Sequence, residues 1–415
     1  MANTLFIDCT HTYYSGSNTG IQRVIRNLIS QASIIGPSFG YQVKPVILKN
    51  GHFVVVPPVE AIRDKNKIRG LKHWRALLKN IREKRLDNYS TQAGNILLIP
   101  EISALIEYRL AVIDFKLKGG NVQTIIYDLI PLTHPDTVSL DSPGIFKDWF
   151  DLAIRHSAQL IAISQTAKKE VERYLKNDKT LINKPATDYF HLGSHLDLKD
   201  RQKASQSFIS LFGGGQPVFI MVGSIEPRKN HRYALGAFNI FWRRGGKAKL
   251  IFIGQAGWRN ENLLAEIKNH RFYNKRLFLV RSADDNDLDF AYKNATGLIF
   301  PSIVEGFGLP IVEAWQAGLK VFCSDIPIFR ELANGRATFF DLASPESLAS
   351  LLFEYCHQPK DLLSKKEKHQ WPSWSESVGK LFPVLIKGQI LSKKLSDEEK
   401  NDLLAEQADL LVKNK

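Results

Sequence analysis

The chain has 415 residues, of which 44% are hydrophobic, and a formal charge of +14 at pH 7. That length exceeds one ordinary domain, and the apolar content is enough for two packed cores. No run of about twenty apolar residues occurs, so a transmembrane helix is not expected, and the 3 cysteines, Cys9, Cys323 and Cys356, lack the spacing of a metal site or a disulfide framework, which makes a reducing cytoplasm the default compartment.

The first residues run straight into a strand over 5–9 without the basic and long apolar regions of a secretory signal, so none is expected. A Ser- and Gly-containing loop over 12–20 follows, ending at Gly20. Ile21, Val24, Ile25, Leu28 and Ile29 then recur at helical spacing. Much of the positive charge lies in 63–85, where Lys65, Lys67, Arg69, Lys72, Arg75, Lys79, Arg82 and Lys84 surround Ile68, Leu71, Trp74, Leu77, Leu78 and Ile81. This pattern fits a basic amphipathic helix lying on anionic lipid, and it fits equally a domain helix that packs its stripe on its own core with the cations in water. Nucleic acid is the other electrostatic partner for such a charge, but neither a zinc-finger spacing nor an RNA-binding aromatic signature accompanies it. Strands are expected over 95–99 and 122–127, the second leading into Asp128 and, six residues on, His134. Asp128 also suits a cap on the following turn, and His134 before Pro135 also suits an ordinary loop. A strand over 160–163 leads to Ser164 as the N-cap of a helix. The first domain is expected to span 1–195, with a polar hinge over 197–207.

The second domain is expected over 208–372. The apolar run 218–222 reads as a buried parallel strand that presents Arg228 and Lys229 beyond its C-terminal end, the edge at which open α/β sheets bind ligands. There an Arg fork and a Lys point charge neutralise a diphosphate. A helix over 233–242, strands over 249–253 and 277–280, and a helix through 288–292 follow. The buried strand beginning at Gly297 then leads to Glu305-Gly306-Phe307-Gly308-Leu309-Pro310-Ile311-Val312-Glu313. Gly306 and Gly308 permit close approach of the backbone to a ligand, and the N-terminus of the next helix favours phosphate. Glu313 is placed to accept from ribose hydroxyls, and Glu305 to face the sugar of a nucleotide-sugar. A strand over 320–323 follows, then helical segments, a helix over 373–386 and a helical tail over 387–415 opened by the capping-box sequence Ser396-Asp397-Glu398-Glu399. The tail reads either as an added partner helix or as a linker onward.

The string from Glu305 to Glu313 resembles the E-x7-E signature of retaining GT-B glycosyltransferases, in particular glycosyltransferase family 4 (glycosyl transferases group 1), and Val222-Gly223-Ser224-Ile225-Glu226-Pro227-Arg228-Lys229-Asn230 resembles the opening of that family's second domain. The resemblance covers most of residues 5–385. It implies an α/β chain of two Rossmann-like domains facing a central cleft, the first on the acceptor side and the second binding the nucleotide-sugar. The implied reaction is retaining transfer of a hexosyl group, mannosyl first among the choices, from a nucleoside-diphosphate sugar to a glycan or lipid-linked oligosaccharide acceptor in bacterial surface polysaccharide synthesis. Attack is then from the front face, with the leaving phosphate helping to deprotonate the acceptor. Asp128, Arg228, Lys229 and Glu305 are the implied catalytic group. Gly20, Arg228, Lys229, Gly306, Phe307, Gly308, Leu309 and Glu313 are the implied donor contacts, and His134 is an acceptor-side candidate. No cofactor is expected beyond the donor itself, and no metal, because an Asp-x-Asp pair is not apparent and Arg228, Lys229 and the helix N-terminus take the place of a cation. The expected location is cytoplasmic, on the inner face of the membrane if 63–85 binds lipid. Two departures stand out: Tyr127 where relatives often carry a His before the Asp, and Ser224 where many place Arg. They keep open a non-catalytic nucleotide-sugar or glycan-binding module, alongside an epimerase or a phosphorylase of the same fold.

Overall fold

The computed structural model describes residues 3–15, 20–58, 94–181, 183–194, 203–358, 369–391 and 395–413. The basic segment 63–85 lies outside them, as does most of the hinge expected over 197–207. The chain forms two compact units, one of Met1–Leu129, Gly144–Gly193 and Pro372–Lys415, the other of Ile130–Pro143 and Ser194–Trp371.

The first unit is built on a seven-stranded sheet of β1 (Asn3–Asp8), β2 (Tyr41–Lys49), β3 (His52–Val55), β4 (Ile96–Ile99), β5 (Asn121–Ile126), β6 (Gln159–Ala162) and β7 (Ala186–Tyr189), in the order β3-β2-β1-β4-β5-β6-β7. All neighbours are parallel except β2 and β3. Those two form a hairpin whose two-residue turn, Asn50-Gly51, has positive φ at both positions, as a type I′ turn requires. Ile96, Leu97, Leu98 and Ile99 are wholly buried, the pattern of a parallel strand covered on both faces. The helix Gly20–Ile35 buries Val24, Ile25, Leu28 and Ile29 as their spacing predicts. The segment expected as a loop from residue 12 instead begins as a helix, Thr10–Ser15, because nearby carboxylates cap its free N–H groups. Ser164 accepts from the Ala167 N–H and caps the helix Gln165–Asn177.

Two C-terminal helices belong to this unit. In Trp374–Leu391, Phe382 stacks on Phe39 at 4.7 Å, and the Leu385 carbonyl accepts from Gln123 Nε2 at 2.8 Å. Asp397–Lys413 opens with a reciprocal cap, Ser396 N–H to Glu399 and Glu399 N–H to Ser396 Oγ, and lays Leu403 and Leu410 against Ile113. Glu406 on that helix pairs with Arg109 and the buried His156.

The second unit carries a six-stranded, all-parallel sheet of β8 (Val218–Val222), β9 (Lys249–Ile253), β10 (Leu277–Val280), β11 (Gly297–Phe300), β12 (Lys320–Ser324) and β13 (Thr338–Phe340), ordered β10-β9-β8-β11-β12-β13. Phe219, Phe238, Phe252, Ile299 and Phe322 form part of one buried cluster, each side chain contributing about 1.5–3 kcal/mol by leaving water. The chain runs from β8 outward through β9 and β10, then returns to add β11 on the other side of β8. The loops after β8 and β11 therefore part from adjacent strands in opposite directions, opening a crevice at their C-terminal ends. Among the described residues, no helix is long and apolar enough to cross a membrane.

Candidate active site

The crevice beside β8 and β11 brings together residues more than seventy positions apart. After β8, Gly223 takes φ +145° and Pro227–Lys229 form a single 3-10 turn, closed by the Asn230 N–H to the Pro227 carbonyl. After β11, Ser302 is anchored by Ser324 Oγ donating to its carbonyl, and the Ile303 N–H donates to the Arg228 carbonyl at 2.8 Å, tying the two loops edge to edge.

Glu305 is the hub. Its Oε2 accepts from Arg228 Nη1 at 2.7 Å, and its Oε1 accepts from Lys229 Nζ and from Ser302 Oγ at 2.9 Å. The side chain is 7% exposed. Burial alone pushes the carboxyl up, but the Arg228 and Lys229 charges overcome it and hold the group at about 2, fully ionised. Lys229 is itself buried, which pulls its ammonium down, with Glu305 opposing, and its Nζ lies 4.8 Å from the centre of the Phe300 ring. A second acidic group, Glu226, is 3% exposed and pairs with Arg228 Nη2 at 2.6 Å. Burial raises its carboxyl, against the pull of Arg228 and Lys229. The result is two cations interleaved with two carboxylates in a site screened from water.

The glycine turn lies alongside. Gly306 and Phe307 are buried, with Phe307 set edge-on to Trp371 at 6.0 Å. Gly308 has φ +114° and a Cβ there would stand 3.1 Å from the Phe329 ring, so a glycine fits both the backbone and the space. It precedes the helix Leu309–Gln316, with Leu309 half-buried at the first position. Glu313 is buried and accepts from the Tyr292 hydroxyl at 2.8 Å.

The remaining sequence candidates sit elsewhere. Gly20 is the exposed first residue of the helix Gly20–Ile35. Asp128 follows β5 in the first unit, and its charge adds to burial in raising Glu170. His134 belongs to the second unit's short segment, where its Nδ1 meets Thr133 Oγ1 at 2.9 Å. Tyr127 turns its hydroxyl into the protein, where burial and the Glu101 charge hold it protonated.

Several site residues escaped the sequence reading: Glu226, Ser302, Phe300 and Tyr292. Glu226 had a signal, a carboxylate two residues before Arg228 beyond an apolar strand. The others are visible only once β8, β11 and the helix Asp285–Asn294 are brought together. The first unit also holds a cluster with no counterpart in that reading, where β1 ends beside β4. Asp8 accepts from the Tyr108 hydroxyl at 2.6 Å and from the Thr10 N–H at 3.1 Å, while Glu101 accepts from the His11 and Thr12 N–H groups at 2.6 and 2.7 Å. Burial, and then the neighbouring Asp8, raise Glu101 to about 8.

Residues 202–370 match the family described as "Glycosyl transferases group 1". The chain is 28% identical over 386 residues to the serotype-specific mannosyltransferase WbdA of Escherichia coli, an alignment covering 90% of this chain and 45% of that protein. It is 23% identical over 231 residues to the O-antigen chain mannosyltransferase RfbU of Salmonella typhimurium, covering 55% of this chain and 60% of that one. It thus spans less than half of the length of the WbdA protein it matches. Its fold is similar to Anabaena Alr3699/HepE in complex with UDP and glucose, with a TM-score of 0.55, 14% identity and coverage of 99% of this chain and 100% of that one. It is also similar to the catalytic domain of starch synthase IV from Arabidopsis thaliana bound to ADP and acarbose, with a TM-score of 0.59, 11% identity and coverage of 94% and 99%. The chain has the GT-B fold, and its second unit carries the segment that is similar to the glycosyl transferases group 1.

Proposed function

We propose that the chain is a retaining, metal-independent hexosyltransferase that moves a mannosyl group from a nucleoside-diphosphate sugar to a glycan acceptor in bacterial surface polysaccharide synthesis. The observation that carries this reading is the convergence of Arg228, Lys229 and Glu305 at the point where the second unit's strand order reverses, beside a glycine turn that opens a helix. The relatives' mannosyltransferase names support mannose as the sugar.

Donor binding is a change of partners. Arg228 and Lys229 both pair with Glu305, and a diphosphate carries the charge to take them over from it, through a planar fork and a point charge. Glu305, released from the cations and still accepting from Ser302 at Oε1, can then accept from the sugar hydroxyls. As the glycosidic bond to the diphosphate breaks, the two cations and the N–H groups after Gly308 meet the charge that develops on the leaving oxygen. Glu313, held by Tyr292, accepts from the ribose, and Gly306, Phe307 and Leu309 shape the wall beside it. Asp128 remains a catalytic candidate, Gly20 a donor-binding candidate and His134 an acceptor-side candidate. The positive segment 63–85 supplies attraction to an anionic inner membrane surface carrying a lipid-linked acceptor.

The experiment is product analysis with GDP-mannose and a mannosyl oligosaccharide, with and without chelator. Acceptor-dependent release of GDP that survives chelation, with the new linkage keeping the donor's anomeric configuration, is the expected result. Donor consumption without acceptor, or inversion, overturns the reading.

A further inference from the structure

Glu226 is tied into the site more firmly than a solvated loop carboxylate requires. The Ile225 N–H donates to the Gln255 carbonyl, the Gly257 N–H donates to the Ile225 carbonyl, and Asn260 Nδ2 bridges the carbonyls of Ile225 and Gly257 at 2.9 and 2.7 Å. A Cβ on Gly257 would stand 3.3 Å from Glu226 Cβ and 3.0 Å from the Ile225 carbonyl, so the loop after β9 closes directly on this residue. Its side chain is 1% exposed and meets Arg228 Nη2 at 2.6 Å, whereas the other end of the guanidinium, Nη1, meets Glu305 at 2.7 Å.

We propose that Glu226 is a positioning residue that keeps the Arg228 guanidinium aimed at the donor phosphates after Glu305 has let go of it. The inference rests on the donor site described above. Arg228 is gripped at two nitrogens by two carboxylates with different surroundings. Glu305 follows β11 at the glycine turn and shares its oxygens with Lys229 and Ser302, so it is the partner that a diphosphate displaces. Glu226 sits against the loop after β9 and holds the other nitrogen, Nη2, away from the Glu305 contact. A long side chain with one end held presents its free edge in one direction, and an aim error of about 1 Å in such a group costs on the order of a hundredfold in rate.

The test uses the full chain with Glu226→Gln, Glu226→Ala, Arg228→Ala and the double variant Glu226→Gln/Arg228→Ala. Binding of GDP, UDP, ADP and dTDP is measured alongside kcat and KM for transfer from the donor that the wild type uses. Glu226→Ala is expected to lower kcat by on the order of a hundredfold, and Glu226→Gln, which keeps an oxygen toward Arg228, by less. In both, the KM for donor stays within about threefold, because Lys229 and the helix N-terminus still bind the diphosphate. In the Arg228→Ala background, Glu226→Gln should cost nothing more, a non-additivity that a merely structural carboxylate would not produce. A folded Glu226→Ala variant with wild-type kcat overturns the proposal, as does full additivity in the double variant. If Glu226→Ala does not fold, Glu226→Gln and the double variant decide. A wild type that binds none of the diphosphates overturns the donor-site reading itself, and that outcome is separate from any result with the variants.

Discussion

Arg228 Nη1 donates to Glu305 Oε2 at 2.7 Å across a sequence separation of 77 residues, and this hydrogen bond is among those that join the loops following the adjacent strands β8 and β11. The cations are therefore partnered before any ligand arrives. A diphosphate replaces a carboxylate instead of filling an unmet demand, so the energetics of the site rest on exchange.

Lys229 is buried and ion-paired, so its replacement acts on both chemistry and stability. Lys229→Met, which keeps the stem that packs near Phe300, should lower transfer by about two to three orders of magnitude, the scale for losing one preorganised electrostatic donor. It should also destabilise the second unit, because removing one member of a buried pair typically costs about 3–5 kcal/mol. Steady-state kinetics and denaturant titration check the two arms separately, and full activity in a folded variant removes Lys229 from the leaving-group role.

Glu305 sets the acid limb of the second unit's stability. Its folded carboxyl is held at about 2 against an ordinary value of 4.5, so the folded state binds fewer protons than the unfolded state between those values. The stabilisation is fully present above pH 4.5 and is lost as pH falls toward 2. Hydrogen exchange at β8 and β11, followed from pH 6 to 2.5, should show this loss in the wild type, and the Glu305→Gln variant should show a flatter profile.

Glu101 predicts the opposite sign in the first unit. Burial, reinforced by Asp8, raises it from 4.5 to about 8, so the folded state binds more protons than the unfolded one across that interval, and stability falls as pH rises through it. Cys9 and Tyr108, both buried and pushed up by the same surroundings, stay protonated, and the His11 and Thr12 N–H groups oppose the rise without cancelling it. Exchange at β1 and β4 measured from pH 5 to 8 should accelerate with pH in the wild type beyond the intrinsic rate change, and Glu101→Gln should reduce the excess, the buried and likewise raised Asp8 accounting for what is left.

Glu313 and Glu305 should separate by ligand. Glu313→Ala is expected to weaken binding of free nucleoside diphosphate about tenfold, equivalent to about 1.4 kcal/mol, because its assigned partner is ribose. Glu305→Ala should mainly impair transfer from the intact donor. Tyr292→Phe, which removes the hydroxyl that Glu313 accepts from, should fall between wild type and Glu313→Ala in diphosphate affinity. Equal losses for Glu305→Ala and Glu313→Ala in diphosphate binding would end this division of labour.

The second unit was largely legible because its strands are continuous apolar runs punctuated by glycine: β8, β9 and β10 occupy the residues that their hydrophobicity predicts. The glutamate and cation motifs lie in the loops those strands define. What periodicity cannot supply is adjacency. That β11 returns beside β8, and so delivers Glu305 to Arg228, follows from strand order. The first unit was harder to read. Its β2 and β3 hairpin was announced by Asn50-Gly51, a turn signal that went unused, whereas β7, Ala186–Tyr189, is short and only partly buried, leaving little alternation to detect. The helix Thr10–Ser15 depends on carboxylates at Asp8 and Glu101, the second some ninety residues away, and no local propensity reveals such a cap.

The most direct measurement is calorimetric titration of the wild type and the Lys229→Met variant with GDP, UDP, ADP and dTDP. The site described here predicts that the wild type binds at least one of these diphosphates, GDP first, and that Lys229→Met weakens that binding by tenfold or more, about 1.4 kcal/mol. Wild-type protein that binds none of the four, or a folded variant that binds as tightly as the wild type, would contradict it.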